Sequence, residues 1–201
     1  HPYAAHPYTT KLPAAAMEFN IAPLGKVLSN VLDIKTGLNT VKFESGVIFK
    51  CYIHATQNVG YFTFENISGG DVAKVLTPQL IVHNYNSGQV INDNSHAGQG
   101  LQKLGYNKGT VTKNETSIHY RQPTYNNHFY EVKIQWKKLP GNKISGSWAI
   151  ENDKAATPPP NEQNSWHTHL QWWSNYWSKS SVNIPDSLIE KKYYLEMYKL
   201  G

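Results

Sequence analysis

The sequence predicts a mainly β protein, an antiparallel β-sandwich followed by two C-terminal linker helices. Three observations predict it. From about Phe19 to Ile150 the apolar residues recur with period two, in short runs separated by Gly and Asn turns. A Pro158-Pro159-Pro160 breaker ends that pattern. Beyond it the period becomes helical: four of the six tryptophans lie between Trp166 and Trp177, and Trp166, Leu170, Trp173 and Trp177 share one helical face. The expected organisation is an N-terminal extension over 1–18, a β-sandwich domain over 19–156, and a Pro-rich break with a helical linker over 157–201.

Taken in order, Leu32-Asp33-Ile34 leads into a tight turn at Lys35-Thr36-Gly37. Asn39 to Glu44 carries a strand into the turn Glu44-Ser45-Gly46, and Val47 to His54 carries one out, which is a hairpin by pattern and turn chemistry. Gly60 to Asn66 and Gln79 to His83 read as further strands. Asn84 to Gly100, rich in Asn, Ser and Gly, is too poor in apolar residues for a core and reads as a long loop. Strand character returns at Gly109 to Thr112, at Thr116 to Arg121 and at Phe129 to Trp136. In the last of these Tyr130, Val132, Ile134 and Trp136 alternate with Glu131, Lys133 and Gln135, one face packed and one solvated. Ile144 to Ile150 is the last strand, and Trp136 and Trp148 are expected in the core.

The second helix follows Ile184-Pro185-Asp186. Ser187 and Glu190 have capping-box spacing, and Asp186 adds negative charge at the helix start. Its apolar positions, among them Leu188, Ile189, Tyr193, Tyr194, Met197, Tyr198 and Leu200, wrap too far around for a helix lying on one small sandwich. Such a helix expects neighbours on several sides, so the chain reads as part of something larger.

Composition narrows the function. At 201 residues, 39% hydrophobic and 16% charged, the chain is a polar globular protein. Asn, Ser, Thr, Gln and Tyr replace the missing charge, a balance found in extracellular proteins and carbohydrate binders. The net charge of +5 comes from scattered lysines, with Arg121 the sole arginine. Solvated surface lysine accounts for it, and no nucleic-acid partner is expected. No apolar run is long enough to span a bilayer, so no membrane partner is expected. The lone Cys51 excludes an intramolecular disulfide framework and reads as a small core residue on the face of Val47, Phe49 and Ile53. The chain opens His-Pro-Tyr and stops within a helical pattern; both ends read as processing boundaries, and a secreted or periplasmic location is expected.

The usual chemistry is hard to assemble. His167 and His169 lie about 200° apart around a helix and cannot chelate one ion from one face. There is no HExxH, CxxC, P-loop, nucleophile elbow or dinucleotide fingerprint, and Gly98-Gln99-Gly100 lacks the strand and helix such a glycine turn requires. No metal or other cofactor is expected. The carboxylates are spread along the chain and suggest no pair to flank a glycosidic bond.

The aromatics remain. Trp and Tyr stack on the apolar faces of sugar rings, while Asn, Gln and His hold hydroxyls. Trp172, Tyr176, His169 and Asn175 together would suit a substrate-binding subsite for a sugar. Trp166, Trp173 and Trp177, on the tight stripe, read as packing at a domain junction. At the edge of that stripe, Trp172 and Tyr176 leave both readings open.

The stretch Trp172-Trp173-Ser-Asn-Tyr-Trp177, with Ile184-Pro185-Asp186, Glu190, Tyr193-Tyr194, Tyr198 and Leu200 after it, resembles the linker of large bacterial glycoside hydrolases similar to the α-L-fucosidase family and, more distantly, to maltose phosphorylases. Upstream, Leu32 to Leu38, Val41-Lys42-Phe43 and Phe49 to His54 resemble the N-terminal sandwich of that group. The resemblance implies a sandwich of the galactose-mutarotase-like, or supersandwich, type, joined through linker helices to an (α/α) toroid that carries catalysis. It also implies that the general acid and base belong to the toroid, so no catalytic residue is assigned in this chain. The expected function is that of a non-catalytic N-terminal domain of an enzyme acting on glycans, inactive alone. Its expected partners are a poly- or oligosaccharide, and either the helical catalytic domain or a second copy held through the linker helices. The alternative is a stand-alone carbohydrate-binding module using surface aromatics.

Overall fold

The computed structural model describes residues 13–69, 76–86, 100–158 and 162–201. Most of the expected 1–18 extension, most of the loop read over Asn84 to Gly100, and Pro159-Pro160 lie outside the described residues. The observed class is the one the alternation predicts, mainly antiparallel β followed by two helices. Among the described residues there are ten strands: β1 (Ala16–Glu18), β2 (Val27–Asp33), β3 (Leu38–Phe43), β4 (Ile48–Ile53), β5 (Val59–Glu65), β6 (Gln79–Ile81), β7 (Thr110–Lys113), β8 (Ser117–Pro123), β9 (Phe129–Leu139) and β10 (Lys143–Asn152). Helices α1 (Glu162–Ser178) and α2 (Ser187–Leu200) follow. β1 and β6 form a two-stranded sheet, and the other eight are ordered β2-β3-β4-β5-β10-β9-β8-β7. Among the described residues, no helix is long and apolar enough to cross a membrane.

The chain divides into two compact units that interleave in sequence: 1–20, 74–136 and 148–158 form one, and 21–73, 137–147 and 159–201 form the other. The second unit holds β2 to β5 and both helices. Its hairpin has the expected turns. β3 pairs antiparallel with β4, Asn39 opposite Cys51 and Val41 opposite Phe49. Gly46 closes the turn at φ +84°, donating its N–H to Phe43 O at 3.0 Å. Phe43, Val47, Phe62, Phe64 and Ile144 are buried in this unit. Cys51 is only half-buried, and that burial pushes its thiol up.

The first unit is built on β7, β8 and β9, with Ile118, Tyr120, Val132, Ile134 and Trp136 buried. One expectation fails here. Glu131, assigned to the solvated face of its strand, is 5% exposed. It accepts from Arg121 Nη1 at 2.8 Å and Ala156 N at 3.1 Å, and lies 3.0 Å from His119 Nε2. Burial works against its charged form, but these partners outweigh it and hold the carboxyl below its usual range.

Candidate functional site

Helix α1 is fixed to its unit through polar groups as much as through indoles. Its buried residues are Ser165, His169 and Trp173, one helical stripe. Tyr61 Oη donates to Ser165 Oγ at 2.7 Å. Ala55 N–H donates to His169 Nδ1 at 3.1 Å, so the ring proton sits on Nε2, which reaches Thr36 O at 2.7 Å. His54 repeats the arrangement: Thr56 N–H donates to Nδ1 at 3.2 Å, and Nε2 lies 3.1 Å from Thr168 Oγ1. The two rings lie 5.7 Å apart. Burial holds both histidines below the usual imidazole range, and for His169 the neighbouring His54 adds to the effect. They are neutral brackets that satisfy backbone groups at the ends of β2 and β4.

The indoles complete the seat. Trp177 Nε1 donates to Ile34 O at 3.1 Å. Trp173 is 5% exposed and stacks on Trp177 and on Tyr198 of α2, with centroids 5.9 and 5.1 Å apart. Its own Nε1 is buried without a hydrogen-bond partner among the described residues. The turn residue Gly37 lies under it.

The residues read as a sugar subsite separate into two environments. Trp172 and Tyr176 are half-buried and stack on each other, 5.2 Å between centroids and 11° between planes. Tyr176 Oη is committed to Met197 O at 2.6 Å. Asn175 is exposed beside them. His169 is 0% exposed, with both nitrogens engaged, and presents no ring atom to a ligand. The packing stripe runs one position earlier than the indole spacing suggests, through Ser165, His169 and Trp173. The reason is that His169 accepts the Ala55 N–H and donates to Thr36 O, whereas an indole can only donate.

Helix α2 begins at Asp186, whose carboxylate accepts from Leu188 N and Ile189 N at 2.9 and 3.2 Å. The N-cap is therefore Asp186 and not Ser187, and because Ile189 occupies the third helical position the expected capping box does not form. Tyr194 Oη clasps the linker, donating to Val182 O at 2.8 Å and accepting from Val182 N at 3.2 Å. No residue of α2 is buried, and Leu188, Ile189 and Leu200 are 63, 54 and 79% exposed. A cleft of about 1110 Å³ opens among Leu32, Ile34, Leu170, Trp177, Tyr194 and Leu195.

Sequence reasoning missed His54 and Tyr52, which α1 packs upon. Their alternation signal is that of any strand residue, and the pairing with α1 spans more than one hundred positions.

No protein-family model and no curated protein matches the chain. Among solved structures it is similar to a chain from the human microbiome called a candidate kojibiose phosphorylase, at 14% identity and a TM-score of 0.32. The match covers 87% of this chain and 23% of that one, so this chain spans under a quarter of its neighbour's length.

Proposed function

We propose that this chain is the non-catalytic sandwich domain and helical linker of a secreted or periplasmic glycan-processing enzyme, with catalysis belonging to a helical domain that covers α2. The observation that carries this reading is α2 itself. It is capped and rich in apolar residues, yet none is fully buried, and Leu188, Ile189 and Leu200 stand mostly exposed. An amphipathic helix of this kind normally gains its stability from tertiary packing, and exposed apolar surface beside an apolar cleft marks an interface. The linker's resemblance to glycoside hydrolases supports the glycan context.

Two measurements test it. The chain alone turns over none of a panel of aryl glycosides; hydrolysis of any would sink the reading. Light scattering is expected to show self-association through α2, lost when Leu188 and Ile189 become lysine. A second reading, a stand-alone carbohydrate-binding module, draws on the stacked pair Trp172 and Tyr176 with Asn175 beside it, His169 supporting α1 from within. A monomer that binds an oligosaccharide in calorimetry, and loses it on Trp172→Ala, favours the module.

A further inference from the structure

A second, smaller cleft lies beside the N-terminal turns of α1, about 270 Å³ in volume, between β3 to β5 and the helix. Its construction follows from register. Lys50 pairs with Thr63 and Tyr52 with Tyr61 across β4 and β5, so alternation puts all four on one sheet face. Glu162 and Trp166, four apart on α1, close the side. Trp166 stands edge-on to Tyr52 at 4.8 Å, and Tyr52 stacks on Tyr61 at 5.0 Å.

The polar groups in this cleft are incompletely used. Tyr52 is 8% exposed, yet its hydroxyl has no hydrogen-bond partner among the described residues. A buried hydroxyl left unpaired carries a real penalty, and native structures rarely tolerate one without a reason. Glu162 Oε2 accepts from Ser145 Oγ at 2.8 Å, leaving acceptor capacity on the other oxygen. Lys50 Nζ gives one donor to Glu65 Oε2 at 2.7 Å and keeps two.

The charges cancel. Glu65 holds both Lys50 and Lys143, at 2.7 and 3.1 Å, and Glu162 balances the remaining positive charge. A cleft with no net charge selects neither a phosphate nor an ammonium. It offers donors and acceptors side by side with an indole wall, the chemistry of a ring that has hydroxyls at its rim and C–H bonds on its face. Its volume falls just below the about 300–1,000 Å³ of drug-sized sites and suits a single sugar ring.

We propose that this cleft binds one neutral monosaccharide unit, with Trp166 as the wall, Tyr52 and Lys50 as donors, and Glu162 as acceptor. The inference rests on the glycan reading above and places a sugar apart from Trp172 and Tyr176.

Calorimetry and tryptophan fluorescence with D-glucose, D-galactose, D-mannose and D-xylose test it, with tetramethylammonium chloride and inorganic phosphate as charged probes. At least one sugar binds saturably in the millimolar range. Tyr52→Phe weakens it about three- to tenfold, the worth of one hydrogen bond, without lowering the melting temperature, since an unpaired hydroxyl is removed. Glu162→Gln weakens it independently of the aromatic stack. The proposal is overturned if no sugar saturates, if both Tyr52→Phe and Glu162→Gln bind as the parent does, or if a charged probe binds in preference. Such a failure leaves the reading of α2 standing, because that reading is decided by association and turnover.

Discussion

Gly37 answers to two constraints at once. Its φ of +63° lies in the left-handed region, and a methyl group there would sit 3.1 Å from Trp173 Nε1. Gly37→Ala is expected to cost about 1–2 kcal/mol from backbone strain alone, read as a lower urea midpoint, with a change in tryptophan emission as the indole is displaced. The turn was legible in Lys35-Thr36-Gly37; the indole above it was not, since Trp173 lies far along the chain. Glu131 makes the same point. Alternation assigned it correctly to the face opposite Val132, but a solvated face was inferred from its charge. Arg121, His119 and the Ala156 amide make burial of that carboxylate tolerable, and their convergence is set by folding.

The attachment of α1 depends on neutral imidazoles. His54 and His169 each accept a backbone N–H on Nδ1, and protonation would set two donors against each other. Both have their folded-state pKa below the unfolded value of about 6.5. As pH falls through that unfolded value, the unfolded chain takes up protons that the folded chain refuses. Their contribution to stability is therefore whole above it and is lost progressively toward acid, by up to about 1.4 kcal/mol per pH unit for each histidine. Urea unfolding at about pH 7.5 and about pH 5.5 measures the loss; equal midpoints would exclude this role. At α2, Asp186→Ala removes both cap bonds and is expected to cost about 1 kcal/mol, seen as faster amide exchange in the first turn. The existence of both helices was legible from the period change and from the start after Ile184-Pro185-Asp186. The orientation of α1 was not, because indole spacing describes a wide stripe, whereas its rotation is set by where β2 and β4 leave unpaired backbone groups.

For the molecule as a whole, the exposed apolar surface of α2 is the feature on which the proposed docking role rests. Replacing Leu188 and Ile189 by lysine is expected to change the stability of the isolated chain by no more than about 0.5 kcal/mol, since both are mostly exposed. The same change should convert an associating species to a monomer in light scattering. A large loss of stability would mean that these residues pack within the chain, and the reading of α2 as a docking surface would fall with it.

Local periodicity, turn glycines and the proline break were enough to settle the mainly antiparallel class, most strand positions, the two helices and the excess apolar face of the second. These properties are encoded within a few residues of one another, in alternation, in φ preferences and in helix spacing. Which aromatic residues remain available depended on contacts spanning most of the chain. Tyr61 meets Ser165, Ala55 meets His169, and Ile34 meets Trp177. Such pairings follow from the packing of α1 against strand ends, and burial there took His169 out of reach of any ligand while bringing Tyr52, Glu162 and Trp166 to one cleft.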